Sequence, residues 1–369
     1  MGHLTFAKEE VYKALANRLD KNPVGAPLNE TLLQILKIMY TEKEAEIGSK
    51  FPAGFSTADR LAEISGLSRE EITAHLEEMA VKGLVIDSPR GTETFYLLSP
   101  LVVGFFEYTF MRTDGRLPLK ELAELFERYH HEPGVTEEFF GAETKIFRTW
   151  TYESQLPVEV HTEVLDYEKA SAIIRASGGG ALGTCYCRHQ ALHRGKACDA
   201  PLTDVCTSLG NASEWLIRRK FARPATVDEL LRVLEKTEKL GLVHLVDNVR
   251  NNPAFLCHCC GCCCGPLRSI RDHGIYSVHP GNFIPKIDSG NCTCCGSCLE
   301  RCQIRAIELV TTPDGEKTTV LEDRCLGCGA CVSACPSAAL SLRQRTVLHL
   351  PPKDKKEQML RIAQEKGKI

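Results

Sequence analysis

Nineteen of the 369 residues are cysteine, and all nineteen lie between Cys185 and Cys335. A thiol can close a disulfide, attack an electrophile or, as thiolate, hold a metal. The first 184 residues contain none, so a disulfide framework would leave half the chain unstapled. The chain is also far larger than the secreted scaffolds that depend on one. Metal ligation suits the clustering better. Eight of the cysteines form two runs of one spacing: Cys325-x2-Cys328-x2-Cys331-x3-Cys335, closed by Pro336, and Cys292-x2-Cys295-x2-Cys298-x3-Cys302, 33 residues earlier. Cys294 is an extra thiol inside the earlier run. Ten more lie upstream, first Cys185, Cys187, Cys198 and Cys206, then the dense run Cys257, Cys259, Cys260, Cys262, Cys263 and Cys264. Six thiols so close together would be an oxidation liability without a metal to hold them.

The repeated spacing resembles that of the bacterial two-cluster ferredoxins, over about residues 282–343. The resemblance implies two [4Fe–4S] clusters, each facing three thiolates of a tight loop and reached by a fourth from the other run. Carried over residue by residue, one cluster takes Cys292, Cys295, Cys298 and Cys335, and the other takes Cys325, Cys328, Cys331 and Cys302. Gln303 stands where the family usually has proline, which bears on the rigidity of the turn and not on ligation. Cys294 reads as a free buried thiol, since a ligand role would require an altered cluster. Ile307–Val310 and Thr318–Leu321, around Pro313-Asp314-Gly315, read as a hairpin inserted between the runs. Four thiolates also suit zinc, but two interleaved copies of the ferredoxin spacing weigh against it.

The ten upstream cysteines are all candidate metal ligands, and their pairing is open. They suffice for two further four-thiolate clusters with two thiols to spare, for one [4Fe–4S] cluster beside one of unusual nuclearity, or for a zinc site. His258, between Cys257 and Cys259, reads as a hydrogen-bond donor to sulfur sooner than as a ligand. Anionic clusters need compensating charge. From Ala181 to Ile275 there are thirteen Lys/Arg against nine Asp/Glu, a surplus of four. Arg188, Arg194, Lys196, Arg268 and Arg271 lie beside the cysteines and are candidates for that role. The Arg218-Arg219-Lys220 run reads as ordinary surface charge.

The elements that must position these thiols can be followed along the chain. Leu32, Ile35, Leu36 and Met39 recur at helical spacing, and Phe51-Pro52-Ala53-Gly54 breaks the chain. Ser56 with Asp59, and Ser68 with Glu71, start two short helices separated by Gly66. Ile72, Leu76, Met79 and Ala80 line one face of the second, which Gly83 ends. Leu84–Ile86, a Ser-Pro-Arg-Gly turn and Thr94–Leu98 follow as a hairpin. Helix, turn, helix and hairpin in this order is similar to a winged helix. Residues 99–146 continue as amphipathic helix on Leu119, Leu122, Leu125 and Phe126, and Gly141 and Pro157 bracket an exposed connection.

A helix from Asp166 to Ala176, a second from Thr226 to Leu240 capped by Thr226 and Glu229, and a strand over Leu242–Val246 frame the upstream cysteines. Gly178-x-Gly180-x-x-Gly183 matches the dinucleotide fingerprint in letters, but a helix before it and cysteines after it are the wrong context. It reads as a flexible hinge. The tail from Pro351 is lysine-rich with a weak Leu360, Ile362 and Ala363 stripe, a solvated or docking helix. The expected fold class is α+β: a helical and winged-helix-like domain over 1–145, a mostly helical cysteine-rich domain over 146–281, a ferredoxin-like two-cluster domain over 282–345 and a charged tail over 346–369.

Composition bounds the function. At 43% hydrophobic and 25% charged the chain is folded, and a net charge of −3 excludes a uniformly basic nucleic-acid binder. Ser56–Leu98 carries four Lys/Arg against eight Asp/Glu, so a winged helix there would be repelled by a duplex and serves protein contact or homo-oligomer formation instead. No apolar run reaches the length of a membrane span, and Met1–Glu10 lacks the pattern of a signal peptide. Available thiolates require a reducing compartment, so the cytoplasm is expected, of an anaerobe if the metal is iron. No Walker, GxSxG or HExxH motif occurs, and no catalytic residue is assigned.

Together, the CxCR…C…C and CxCCxCCC middle and the ferredoxin-like end resemble ferredoxin-domain proteins of anaerobic bacteria and archaea. That resemblance implies an iron–sulfur electron-transfer subunit, without a substrate pocket, beside a larger redox enzyme or complex carrying flavin, molybdenum, tungsten or further iron–sulfur subunits. The ferredoxin-like unit has six Lys/Arg against seven Asp/Glu, and this near-neutrality favours stable docking over free diffusion. The alternatives are an iron–sulfur redox-sensing transcriptional regulator and an oxidoreductase with an unusual catalytic central cluster.

Overall fold

The structure, a computed structural model, describes residues 2–156, 169–313 and 315–369. Pro157, the start of the helix expected from Asp166, and Asp314 lie outside the described residues. The fold is mixed helix and strand. Three helices, Gly2–Asp20, Glu30–Met39 and Glu42–Ser49, open the chain, and Leu32, Ile35, Leu36 and Met39 are buried as their spacing predicts. Helices Ala58–Ser65 and Arg69–Lys82 follow, then strands Val85–Arg90 and Glu93–Leu98. Ser68 and Glu71 form a reciprocal capping box at the start of the longer of these two helices. The hairpin gains a third strand, since Ser56–Thr57 pairs with Glu93–Leu98 on its open side. That arrangement leaves Val85–Arg90 at the sheet edge, where Pro89 removes no needed ladder bond.

The largest departure from expectation is the middle. It is built on a seven-stranded sheet, where a mostly helical domain is predicted from sequence. In spatial order the strands are Val278–His279, Phe147–Trp150, Val243–Asp247, Phe255–Cys259, Cys206–Leu209, Gly180–Gly183 and Ala222–Ala225. All neighbours are antiparallel except the first pair. These strands have five residues or fewer, and several are buried on both faces, so they lack the two-residue alternation by which strands are read. The glycine fingerprint supplies one of them. Gly180–Gly183 is a sheet strand and not a hinge, and a side chain at Gly180 would collide with the Ser208 carbonyl of the neighbouring strand.

Helices cover the sheet, among them Ala170–Ala176, Tyr186–His193, Gly210–Arg218, Val227–Lys239 and Gly265–His273. Thr226 and Glu229 cap Val227–Lys239 as expected. The tail forms the helix Lys355–Glu365, which docks. Gln358 is fully buried and donates to the Lys145, Ile146 and Asn248 carbonyls, while Lys366 and Lys368 pair with Glu138. One apolar core runs without a break from Tyr12 through Phe126 and the sheet to Ile362.

Candidate metal centres

In the C-terminal unit, strand Phe283–Ile287 pairs antiparallel with Leu340–Gln344 and closes the unit end to end. Inside it the two cysteine runs interleave. Cys292, Cys295, Cys298 and Cys335 line one small cavity together with Cys294, and Cys302, Cys325, Cys328 and Cys331 line a second. Each run therefore lends its last thiol to the other run's cavity. Backbone and hydroxyl donors already face the sulfurs: Ala306 N–H lies 3.1 Å from Cys302 Sγ, Gly327 N–H 3.4 Å from Cys325 Sγ, and Ser297 Oγ 3.4 Å from Cys295 Sγ. Cavities that each gather at least four thiols, with donors aimed at sulfur, suit iron–sulfur clusters, whose charge such bonds stabilise. Cys294 takes a left-handed backbone (φ 51°) and its thiol donates to the Glu316 carbonyl at 3.2 Å.

The two cavities differ in environment. Cys295 is exposed, and the Thr318 and Ser297 hydroxyls hold the Cys292 and Cys295 thiols below the usual range. Cys325 and Cys331 are buried, and burial pushes Cys325 up to about 11 and Cys328 to about 12. The first set is the more outward and the second the more inward, although Cys298 of the first is buried and Cys302 and Cys328 of the second are half-buried. The inward loop is clamped by the two residues that follow strand Phe147–Trp150: Thr151 Oγ1 donates to the Gly327 carbonyl at 2.9 Å, and Tyr152 N–H to the Cys328 carbonyl at 2.9 Å.

Gln303, in the usual proline position, has a function that sequence alone does not reveal. Its Oε1 accepts from Gly261 N–H at 2.8 Å and its Nε2 donates to the Gly241 carbonyl at 3.2 Å. Gly261 sits in the middle of the dense cysteine run, and a Cβ there would lie 1.9 Å from the Gln303 carbonyl oxygen. Only glycine permits this approach. The residue after Cys302 thus joins the inward cavity to the central cysteines.

The ten central cysteines separate into two groups. The Sγ atoms of Cys198, Cys260, Cys262 and Cys263 all lie within 4.8 Å of one another. The other six, Cys185, Cys187, Cys206, Cys257, Cys259 and Cys264, line a separate small cavity beside Tyr186 and Arg188, which Cys260 also borders. Strand alternation puts Cys257 and Cys259 on one face and His258 on the other. Sheet register places Cys206 opposite Cys257. Cys185 and Cys264 are the residues that precede helices Tyr186–His193 and Gly265–His273, where the helix dipole favours a thiolate. Hydrogen bonds from Cys187 and Cys259 bring Cys264 down to about 5, whereas burial lifts Cys185 to about 12.

His258 is not turned to sulfur. Its Nδ1 meets Thr237 Oγ1 at 2.9 Å beneath helix Val227–Lys239, and burial keeps it and neighbouring His244 well below the normal histidine range. Of the five basic candidates, Arg188 lies against the thiols. It is 1% exposed, donates to the Pro201 and His258 carbonyls at 3.0 and 2.7 Å, and is held charged by Cys185, Cys260 and Cys259 against the cost of burial. Arg194 and Arg268 are engaged with Glu127, Arg271 with Asp272, and Lys196 is exposed.

Two further features escape sequence reading. Arg218 and Arg219, expected as plain surface charge, bind Asp87, which is 4% exposed and also accepts from Trp215 Nε1 at 2.9 Å. Burial alone would raise the Asp87 pKa, and the two guanidinium groups and the indole outweigh it, so the carboxyl is held low. Second, a cavity of about 790 Å³ lies between the N-terminal helices and the sheet, where no substrate pocket is expected. Its lining is mostly apolar and includes Glu107, Tyr186, Cys206 and Cys257. Burial lifts the Glu107 carboxyl to about 8.

No curated protein and no solved structure matches the chain. Residues 291–339, which carry the two thiol-lined cavities just described, match the family described as the 4Fe-4S dicluster domain.

Proposed function

We propose that the chain is a multi-centre electron-transfer protein, working in the cytoplasm as a docked subunit of a larger redox complex. The carrying observation is the serial order of thiol sets: outward Cys292, Cys295, Cys298 and Cys335, then inward Cys302, Cys325, Cys328 and Cys331, then the central cysteines joined through Gln303. When bound, iron–sulfur clusters supply one-electron storage and relay. The protein holds their ligands in order, keeps water from the inner set, and places buried Arg188 against the central thiols. Exposed Cys295 marks the face where a redox partner would approach.

The N-terminal region has the element order of a winged helix, helix–strand–helix–helix–hairpin, and we assign it a protein-contact role. Its acidic helix Arg69–Lys82 is tied by Glu77 to Arg219, and its edge strand by Asp87 to Arg218 and Arg219, so part of the face a duplex would meet is engaged within the chain. Anaerobic purification with iron and sulfide counting and EPR of the reduced protein tests the main reading. Two interacting [4Fe–4S] signals plus iron beyond about eight atoms per chain support it; a C-terminal unit without iron ends it.

A second reading, an oxidoreductase acting on a bound small molecule, is favoured by one observation: the apolar cavity borders Cys206 and Cys257. Ala212→Trp would obstruct part of it. Loss of partner-coupled turnover with reducible clusters intact supports catalysis at this site, and unchanged turnover removes it.

A further inference from the structure

We propose that Cys198, Cys260, Cys262 and Cys263 form a site for a single zinc ion, separate from every iron–sulfur centre and structural in role. Three of the sulfur separations are 3.6 Å (Cys198 to Cys260), 3.7 Å (Cys262 to Cys263) and 3.9 Å (Cys263 to Cys198). An ion bound tetrahedrally at a zinc–sulfur distance of about 2.3 Å places its four sulfurs about 3.8 Å apart. These three separations thus already match a one-ion tetrahedron, and all four sulfurs lie within 4.8 Å of one another. In a [4Fe–4S] cluster each thiolate sits on its own iron with the inorganic core between them, and the sulfurs are held further apart. The same fold supplies the comparison. Among the described residues, no other group of three or more cysteine, histidine or carboxylate ligand atoms closes to 4.8 Å, and neither C-terminal cavity's thiols do so.

The chain connectivity explains what the ion accomplishes. Three ligands come from the turn between strand Phe255–Cys259 and helix Gly265–His273, and Cys198 comes from the loop after helix Tyr186–His193. One ion therefore ties two loops that are distant in sequence. Between its ligands lies Gly261, whose N–H is bound by Gln303 of the C-terminal unit. Fixing this turn fixes the surface on which the inward thiol cavity rests. Zinc has no redox chemistry, so the ion stands beside the electron route and holds it in shape. Six central thiols, Cys185, Cys187, Cys206, Cys257, Cys259 and Cys264, then remain for the central iron–sulfur centre.

The test uses full-length protein purified anaerobically. We expect about one zinc per chain, with X-ray absorption at the zinc edge showing four sulfur neighbours at about 2.3 Å. Cys198→Ser and Cys262→Ser should each lose the zinc while retaining the wild-type iron count and the reduced C-terminal cluster EPR. The wild-type absorption measurement decides the matter even if a variant fails to fold. The proposal is overturned if the protein contains no zinc, if the zinc has nitrogen or oxygen neighbours in place of the four sulfurs, or if Cys198→Ser removes iron. The C-terminal EPR reports separately on the electron-transfer reading.

Discussion

Gln303→Ala isolates the junction between the dicluster domain and the central cysteines. In the folded chain Gly261 is buried and its N–H has the Gln303 amide oxygen as acceptor at 2.8 Å, while the amide nitrogen serves the Gly241 carbonyl at 3.2 Å. Truncation leaves a buried donor unpaired, at about 1–3 kcal/mol, and deletes a second bond worth about 1 kcal/mol. A loss of about 2–4 kcal/mol corresponds to a thirty- to several-hundred-fold rise in the population with this contact open. Neither cavity loses a thiol, so iron content and the EPR signals of the C-terminal clusters should match wild type. Hydrogen exchange read by mass spectrometry should show the peptide containing Gly261 losing protection by the same factor. Gln303→Glu keeps an acceptor for Gly261 but sets a second carboxylate oxygen against the Gly241 carbonyl, so the Gly241 contact should open while the Gly261 amide keeps an acceptor. Undiminished protection in Gln303→Ala would refute the assignment of this side chain as the joint.

Three further outcomes follow from other contacts. Asp87→Ala leaves Arg219, 11% exposed at its side chain, without its buried partner and should destabilise the protein by about 3–5 kcal/mol, whereas Glu77→Ala, at an exposed carboxylate, should cost less than about 1 kcal/mol; chemical denaturation compares them. Glu107, lifted to about 8 by burial, keeps in the folded state a proton that the unfolded chain releases near its ordinary value. Stability from this group is therefore complete at low pH and lost as pH rises toward about 8, so Glu107→Gln should gain thermal stability relative to wild type between about pH 6 and 8, and an unchanged difference would refute the buried-acid account. Gly327 has φ 71° and would put a Cβ 2.0 Å from the Phe283 carbonyl oxygen, so Gly327→Ala should reduce iron retention at the inward cavity, read by EPR, while sparing the outward one.

Where the sequence was legible, the reason was local. The Cys-x2-Cys-x2-Cys-x3-Cys repeats, the Ser68 and Thr226 caps and the Leu32 to Met39 stripe each lie within a turn or two of helix or loop. The central sheet was not legible, because Gly180–Gly183 and Cys206–Leu209 are four-residue strands buried on both faces and thus carry no alternation. The acidity of Ser56–Leu98 could be counted, but not that Asp87 answers Arg218 and Arg219 from a strand more than a hundred residues away. Such pairs follow from which surfaces the core brings together, and spacing holds no trace of them.

The division of the central cysteines shows this limit most sharply. Cys259 and Cys260 are adjacent, and so are Cys263 and Cys264, yet within each pair the two thiols belong to different groups. The cause is the secondary structure beneath them. Strand Phe255–Cys259 ends at Cys259, with Cys257 and Cys259 on one face, and the turn that begins at Cys260 swings the next thiols toward Cys198. Helix Gly265–His273 then turns Cys264 back toward Cys187 and Cys259. A one-residue insertion before Cys260 should therefore disturb the four-thiol site and spare the six-thiol cavity, whereas one within Phe255–Cys259 should move Cys257 or Cys259 to the wrong face of the sheet and damage the six-thiol cavity first. Metal counting on the two insertions would show zinc falling in the first and iron in the second, and the opposite order would mean that the grouping of ligands is not set by where the strand ends.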